Sequence, residues 1–174
     1  MPQPTQTDHP TVLVVDDEDA TLGLCKKILE QAGCSVLLAL GSSEALKLCK
    51  AHQGSIDLLV TDLVLPPPEF SFASSDNEFP HVHGHDLASR ALRMRTNLRV
   101  ILMSGNMETD LAGYGIRKGT LPFLCKPFDP STLVALVRET MNAPPPPPES
   151  LEKDHTTGTK GTDEWLDRDK KRVP

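Results

Sequence analysis

Asp16, Asp17, Asp62, Ser104 and Lys126 are scattered along the chain, yet each stands where a short apolar run ends. Three carboxylates brought together repel, and each resists ionising. A divalent cation relieves that repulsion. An all-oxygen donor set suits Mg²⁺, which keeps waters and often bridges to phosphate. A lysine adds a compact positive charge, and a serine adds a hydroxyl donor. Together these groups meet the needs of a phosphoryl group for positioning and charge stabilisation. An aspartate can also act as the nucleophile and form an aspartyl phosphate. Asp62 is the candidate, because it stands alone at the end of what reads as a central strand. The plainer reading is that each acid caps the helix after it, and it stays open for Asp16, Asp17 or Ser104 taken singly. Capping does not account for Lys126.

These positions come together only if the elements before them run side by side. Thr11–Val15, Ser35–Leu40, Ile56–Thr61, Arg99–Met103 and Pro122–Cys125 read as five short strands. The first is an apolar, β-branched run of the kind buried on both faces of a sheet. Between the strands, apolar residues recur at helical spacing: Leu22, Cys25, Ile28 and Leu29, then Ala45, Leu46 and Cys49, then Leu87, Ala88, Ala91 and Leu92. A weaker helix is predicted over about Glu108–Lys118, with three glycines nearby. The last helix starts at Asp129-Pro130, an N-cap followed by a first-turn proline. Strands alternating with helices predict an α/β fold, a doubly wound five-stranded parallel sheet with helices on both faces. Ligands of such sheets bind beyond the carboxyl ends of the strands, where the five chemical residues would gather.

The 174 residues carry 18 Lys+Arg against 24 Asp+Glu, a formal net charge of −6. That balance argues against nucleic acid as the main partner, since phosphate contacts need clustered positive charge. No apolar run of about 18 residues exists, so no membrane span is expected. The first ten residues lack the basic-then-apolar pattern of a signal peptide. Cys25, Cys34, Cys49 and Cys125 have no C-x-x-C spacing, and read as reduced thiols of a cytoplasmic protein, mostly in the core. The 16 prolines cluster. They divide the chain into a disordered lead over 1–10, a domain over 11–142 and a Pro-rich, disordered tail over 143–174. In the tail, Pro144–Pro148 would form a stiff spacer, and a docking peptide around Trp165 and Leu166 is the alternative to a solvated tail.

VVDDE (Val14–Glu18), the DLVLP that begins at Asp62, MSG (Met103–Gly105) and FLCKPF (Phe123–Phe128) resemble the receiver domain of two-component response regulators. The resemblance covers about residues 11–142. Its closing stretch is most similar to receivers of hybrid sensor kinases. It implies the flavodoxin-like receiver fold, with Asp62 as phosphoacceptor. Asp17 would ligate Mg²⁺ directly, with Asp16 assisting and Asp62 and the Val64 backbone carbonyl completing the protein ligands. Ser104 would bond the phosphoryl oxygen, and Lys126 would pair with Asp62 and then with the phosphate. Ser104 and Phe123 would form the switch that carries the signal to the fourth helix, fifth strand and fifth helix. The implied partners are a histidine kinase or histidine phosphotransfer protein and a downstream protein target, and a homodimer is allowed. The function expected is that of a single-domain phosphorelay receiver, not an enzyme. One alternative is a non-phosphorylated binding module. Another is an aspartate-nucleophile phosphatase, disfavoured because Val64 stands where such enzymes usually carry a second acid.

The chain departs from the receiver pattern after Asp62. The glycine that normally follows the phosphoacceptor closely is here delayed to Gly84, by an inserted loop at about 66–83. The loop is turn-rich and short of aliphatics, which favours a floppy excursion. Phe70, Phe72 and Phe79 speak for some docking. His81, His83 and His85 alternate, and would share one face in an extended segment. A metal could use that face, but apart from Asp86 nothing near completes the ligand set.

Overall fold

The computed structural model describes residues 9–66, 81–114, 116 and 119–151. Five parallel strands form one sheet: β1 (Thr11–Val15), β2 (Ser35–Ala39), β3 (Leu58–Asp62), β4 (Arg99–Ser104) and β5 (Phe123–Cys125). Their order is β2-β1-β3-β4-β5. Five helices alternate with them: α1 (Asp19–Gln31), α2 (Ser42–Ala51), α3 (Gly84–Met94), α4 (Met107–Gly113) and α5 (Pro130–Asn142). The doubly wound architecture expected from the alternation is therefore present.

Side chains alternate across a strand, and both faces of this sheet are covered. Val12, Val14, Val60, Ile101 and Met103 pack with Leu22, Cys25, Ile28 and Leu29 of α1 and Leu133 and Val137 of α5. Leu13, Val15, Leu59, Val100 and Leu102 pack against Leu46 of α2, Leu87 and Ala91 of α3, and Leu111 of α4. Every residue of β3 is buried, the apolar Leu58–Val60 and the polar Thr61 and Asp62 alike. Each fully buried leucine contributes about 2 kcal/mol through loss of apolar area from water.

Several boundaries differ from expectation. β3 starts at Leu58 rather than Ile56 and includes Asp62 itself. α4 stops at Gly113, well short of Lys118. Gly113 adds backbone freedom at its end, and Gly119 beyond it adopts φ +89°, a conformation that does not continue a helix. Of the four free cysteines only Cys25 and Cys49 are buried, while Cys125 is exposed. Burial pushes both buried thiols up to about 11, and the Asp16 carboxylate adds to the rise at Cys25. Asp129 and Pro130 start α5 as predicted, with the Thr132 N–H donating to Asp129 Oδ1 at 2.9 Å.

The C-terminal side differs most. The packed structure does not end at Asn142. Arg99 Nε donates to Ala143 O at 2.8 Å, tying the chain to the start of β4. Prolines 144–147 lead into a single 3₁₀ turn, Pro148–Leu151. Leu151 is 2% exposed, belongs to the α2–α3–α4 side of the core and closes it next to α3. The lead before residue 9, the three insert phenylalanines, Trp165 and Leu166 lie outside the described residues. Among the described residues, no helix is long and apolar enough to cross a membrane.

One side chain holds a whole corner. Arg95 donates through Nε to Cys49 O (2.6 Å), through Nη2 to His52 O (2.6 Å) and through Nη1 to Gly54 O (2.8 Å). It thereby satisfies carbonyls at the end of α2 that have no helical partner. Arg95→Ala should cost about 2 kcal/mol, as charged donors are lost, and lower the melting temperature by about 4–8 °C in a thermal unfolding scan. Arg95→Lys should recover little of this, because an ammonium cannot reproduce the planar fork.

Candidate functional site

The sheet order reverses between β1 and β3, and a crevice opens beyond their carboxyl ends. β1 delivers Asp16 and Asp17 there, β3 ends on Asp62, and β4 ends on Ser104. Lys126 follows β5, and its peptide bond to Pro127 is cis. The parallel registers hold these ends level: Val15 pairs with Thr61, Asp62 with Met103, and Ser104 with Cys125.

Lys126 is the hub. Its Nζ donates to Asp62 Oδ2 at 2.6 Å and to Asp16 Oδ2 at 2.7 Å. The pairing expected with Asp62 is present, and Asp16 shares it. Asp16 is wholly buried and also accepts from the Glu18 N–H at 2.9 Å. Asp62, 8% exposed, accepts from the Val64 N–H at 2.9 Å through Oδ1. Burial holds the Asp62 carboxyl above its usual range, against the opposing pull of Lys126 and the Val64 N–H. Burial lowers the Lys126 pKa, but the bonds to Asp16 and Asp62 outweigh it and the net shift is upward.

Asp16, Asp17 and Asp62 each place a carboxylate oxygen within 4.8 Å of the others. Asp17 is exposed, so this oxygen-only set is open to solvent on one side. Such a set fits a hard divalent cation that keeps part of its water shell. Val64 is 37% exposed and stands at the same rim. No other group of three possible ligands occurs among the described residues, so the alternating histidines do not form one.

The histidines instead hold the root of the inserted loop. Ser42 Oγ accepts from the Val82 N–H at 2.8 Å and lies 3.5 Å from His81 Nδ1. His83 Nδ1 accepts from the Leu65 N–H at 3.2 Å, and the His83 ring lies 5.0 Å from that of Tyr114. His85 is buried in the first turn of α3. His81 and His83 precede the helix and their rings meet edge-on at 5.8 Å, but His85 lies inside α3, so the three do not share one face. The loop therefore leaves and returns beside Asp62, its two stems joined by Leu65 and His83.

Two participants, Asp110 and Tyr114, escape a reading of the sequence, and Gly84, legible only as the glycine displaced by the insert, gains a contact. Gly84 N donates to Leu63 O at 3.1 Å, and its Cα lies against Asp62. A Cβ at that position would overlap the Asp62 carbonyl oxygen and lie 2.9 Å from its carbonyl carbon. Asp110, in α4, accepts a hydrogen bond from the Ser104 hydroxyl. Tyr114, which caps α4, has a raised pKa through burial, then through the Asp110 and Asp62 carboxylates. Phe123 is partly buried and lines an apolar groove of about 230 Å³ with Leu102, Met107, Leu111, Ile116 and Leu121.

Residues 12–69 match the sequence pattern of the response regulator receiver domain. The transcriptional regulator NtrC of Azospirillum brasilense is 30% identical over 137 residues, covering 79% of this chain and 25% of that protein. NtrC of Rhizobium meliloti is 30% identical over 148 residues. The chain thus spans about a quarter of the length of these curated relatives. Among solved structures, the receiver domain of the hybrid histidine kinase CckA is 28% identical with a TM-score of 0.57, covering 76% of this chain and 99% of that one. A response regulator receiver protein of Sinorhizobium medicae is 25% identical with a TM-score of 0.61, covering 78% and 97%.

Proposed function

Since the chain belongs to the response regulator receiver family of two-component signalling proteins, we propose that Asp62 accepts a phosphoryl group from a phosphohistidine. The donor would be a histidine kinase or a histidine phosphotransfer protein. An Asp62 carboxylate oxygen forms the new bond to phosphorus. The phosphorus–nitrogen bond breaks, and its electron pair returns to the imidazole of the donor. The observation that carries this reading is the hold of Lys126 on Asp16 and Asp62, in a crevice where three carboxylates converge.

Asp17, Asp62 and the Val64 carbonyl would hold Mg²⁺, with Asp16 assisting. Mg²⁺ when bound supplies positive charge to the phosphoryl oxygens. Lys126 Nζ, already paired with Asp62, neutralises charge as it builds on the transferred group. Ser104 would bond a phosphoryl oxygen, and Phe123 would answer its movement in the groove beneath α4. The output proposed is protein–protein contact in the cytoplasm. The domain proposed is 11–142, with Leu151 packed onto it.

Incubation with Mg²⁺ and acetyl phosphate should add one phosphoryl group by intact mass. Asp62→Asn should show none, and unchanged labelling in that variant would sink the assignment. The same variant should melt a few degrees higher than the wild type. Burial raises the Asp62 pKa, so its contribution to stability is full below the unfolded value of 3.8 and is lost as pH rises through the folded one. At neutral pH the charge is a net cost, which the neutral amide removes.

A further inference from the structure

Ser104 is 1% exposed, and its hydroxyl is engaged by partners other than Asp62. The hydroxyl donates to Asp110 Oδ2 and accepts from the Asn106 N–H at 3.0 Å. A serine hydroxyl has one proton to give. A phosphoryl oxygen on Asp62 and the Asp110 carboxylate therefore compete for a single donor. They also repel, since phosphorylation adds negative charge beside an existing carboxylate. Asp62 ends β3 in register with Met103 of β4, and Ser104, the next residue, carries the bond to Asp110, so the two acids meet through the end of β4.

Asp110 is fastened to α4. Its N–H donates to Asn106 O at 2.9 Å, and its carbonyl accepts from the Tyr114 N–H at 3.1 Å. Tyr114 in turn touches the His83 ring at the root of the inserted loop. The Ser104–Asp110 bond thus ties the end of β4 to α4, and α4 to the loop.

Resting on the assignment of Asp62 as phosphoacceptor, we infer that Asp110 is a latch that holds the Ser104 proton and opposes the phosphorylated state. When Ser104 turns to a phosphoryl oxygen, its bond to Asp110 breaks and α4 loses its tie to β4. Asp110 is a positioning residue, acting through Ser104. Its charge sets how readily the domain switches.

Beryllium fluoride with Mg²⁺, a mimic of a phosphoryl group on a carboxylate, gives an equilibrium readout through backbone amide shifts. Asp110→Ala should bind it about tenfold more tightly than the wild type, equivalent to about 1.4 kcal/mol. Asp110→Asn should fall between the two, since its amide oxygen still accepts but carries no charge. Ser104→Ala should bind more weakly than the wild type, and adding Asp110→Ala to it should change nothing further. That non-additivity separates a latch from general loosening of α4, which would act in both backgrounds. If the wild type labels at Asp62 but Asp110→Ala binds no more tightly, the latch is overturned alone. If the wild type takes no phosphoryl group from acetyl phosphate, the Asp62 assignment falls and the latch with it.

Discussion

Gly84→Ala should lose about 3 kcal/mol of stability, as expected when atoms are forced into a filled space. It should also lose most of its labelling by acetyl phosphate. The space beside Gly84 is taken by the Asp62 carbonyl group and Leu63 Cα, all backbone. Nothing there is the far end of a flexible side chain. The methyl can be placed only by moving α3 away or by tilting the end of β3. Tilting β3 displaces the Asp62 carboxylate from Lys126 Nζ, with which it makes a 2.6 Å bond. A melting temperature lower by about 6–12 °C follows from the stability loss. Thermal unfolding and intact mass, measured on the same sample, check both parts. Labelling at the wild-type rate would show that α3 yields and β3 does not.

Lys126→Ala should lose about 3 kcal/mol, the lower end of what breaking a buried ion pair costs. The lower end applies because the Lys126 side chain is 19% exposed. Asp16, with its side chain fully buried, would keep only the Glu18 N–H. The pH dependence has a definite sign. The Lys126 pKa is raised above 10.5, so the wild-type contribution is full below 10.5 and is lost as pH rises through the folded value. The variant has no such alkaline loss. Without Lys126 the Asp62 carboxyl rises further, since the ammonium is its main lowering influence. The deficit should therefore be largest near neutral pH and shrink under acid, where the carboxyls take up protons. Denaturant unfolding at neutral and mildly acid pH distinguishes this from a uniform loss of packing. Labelling should fall as well, because no other cation faces Asp62 in the described hydrogen bonds.

The chemical residues are legible in the sequence for a physical reason. A strand buried on both faces must be apolar throughout, so the first polar residue after it marks the edge of the sheet. Asp16 directly follows such a run, Ser104 ends one, and Asp62 comes one small polar residue, Thr61, after another; parallel pairing brings them level. What stays hidden has no period to reveal it. Leu151 is one apolar residue behind a run of prolines, and nothing local says that it returns to the core. Asp110 matters only through where α4 lies over β4. The three histidines alternate as a strand would, and the His81 and His83 rings do meet, but α3 begins at Gly84 and takes His85 away from them. Glycines make the end of α4 equally unreadable, because they weaken the helix without marking where it stops.

The strap from Ala143 to Leu151 also decides where the polypeptide is heading. α5 lies on the face shared with α1, and a chain continuing directly from Asn142 would depart on that face. Prolines 144–147 carry it past the start of β4, and Leu151 fastens it beside α3 on the opposite face. Whatever follows Leu151 is therefore tethered on the α2–α3–α4 side, the side that also roots the inserted loop and holds the Asp110 contact. The exit point and the switching helix share one hemisphere of the domain, and the reach of any attached segment is measured from there.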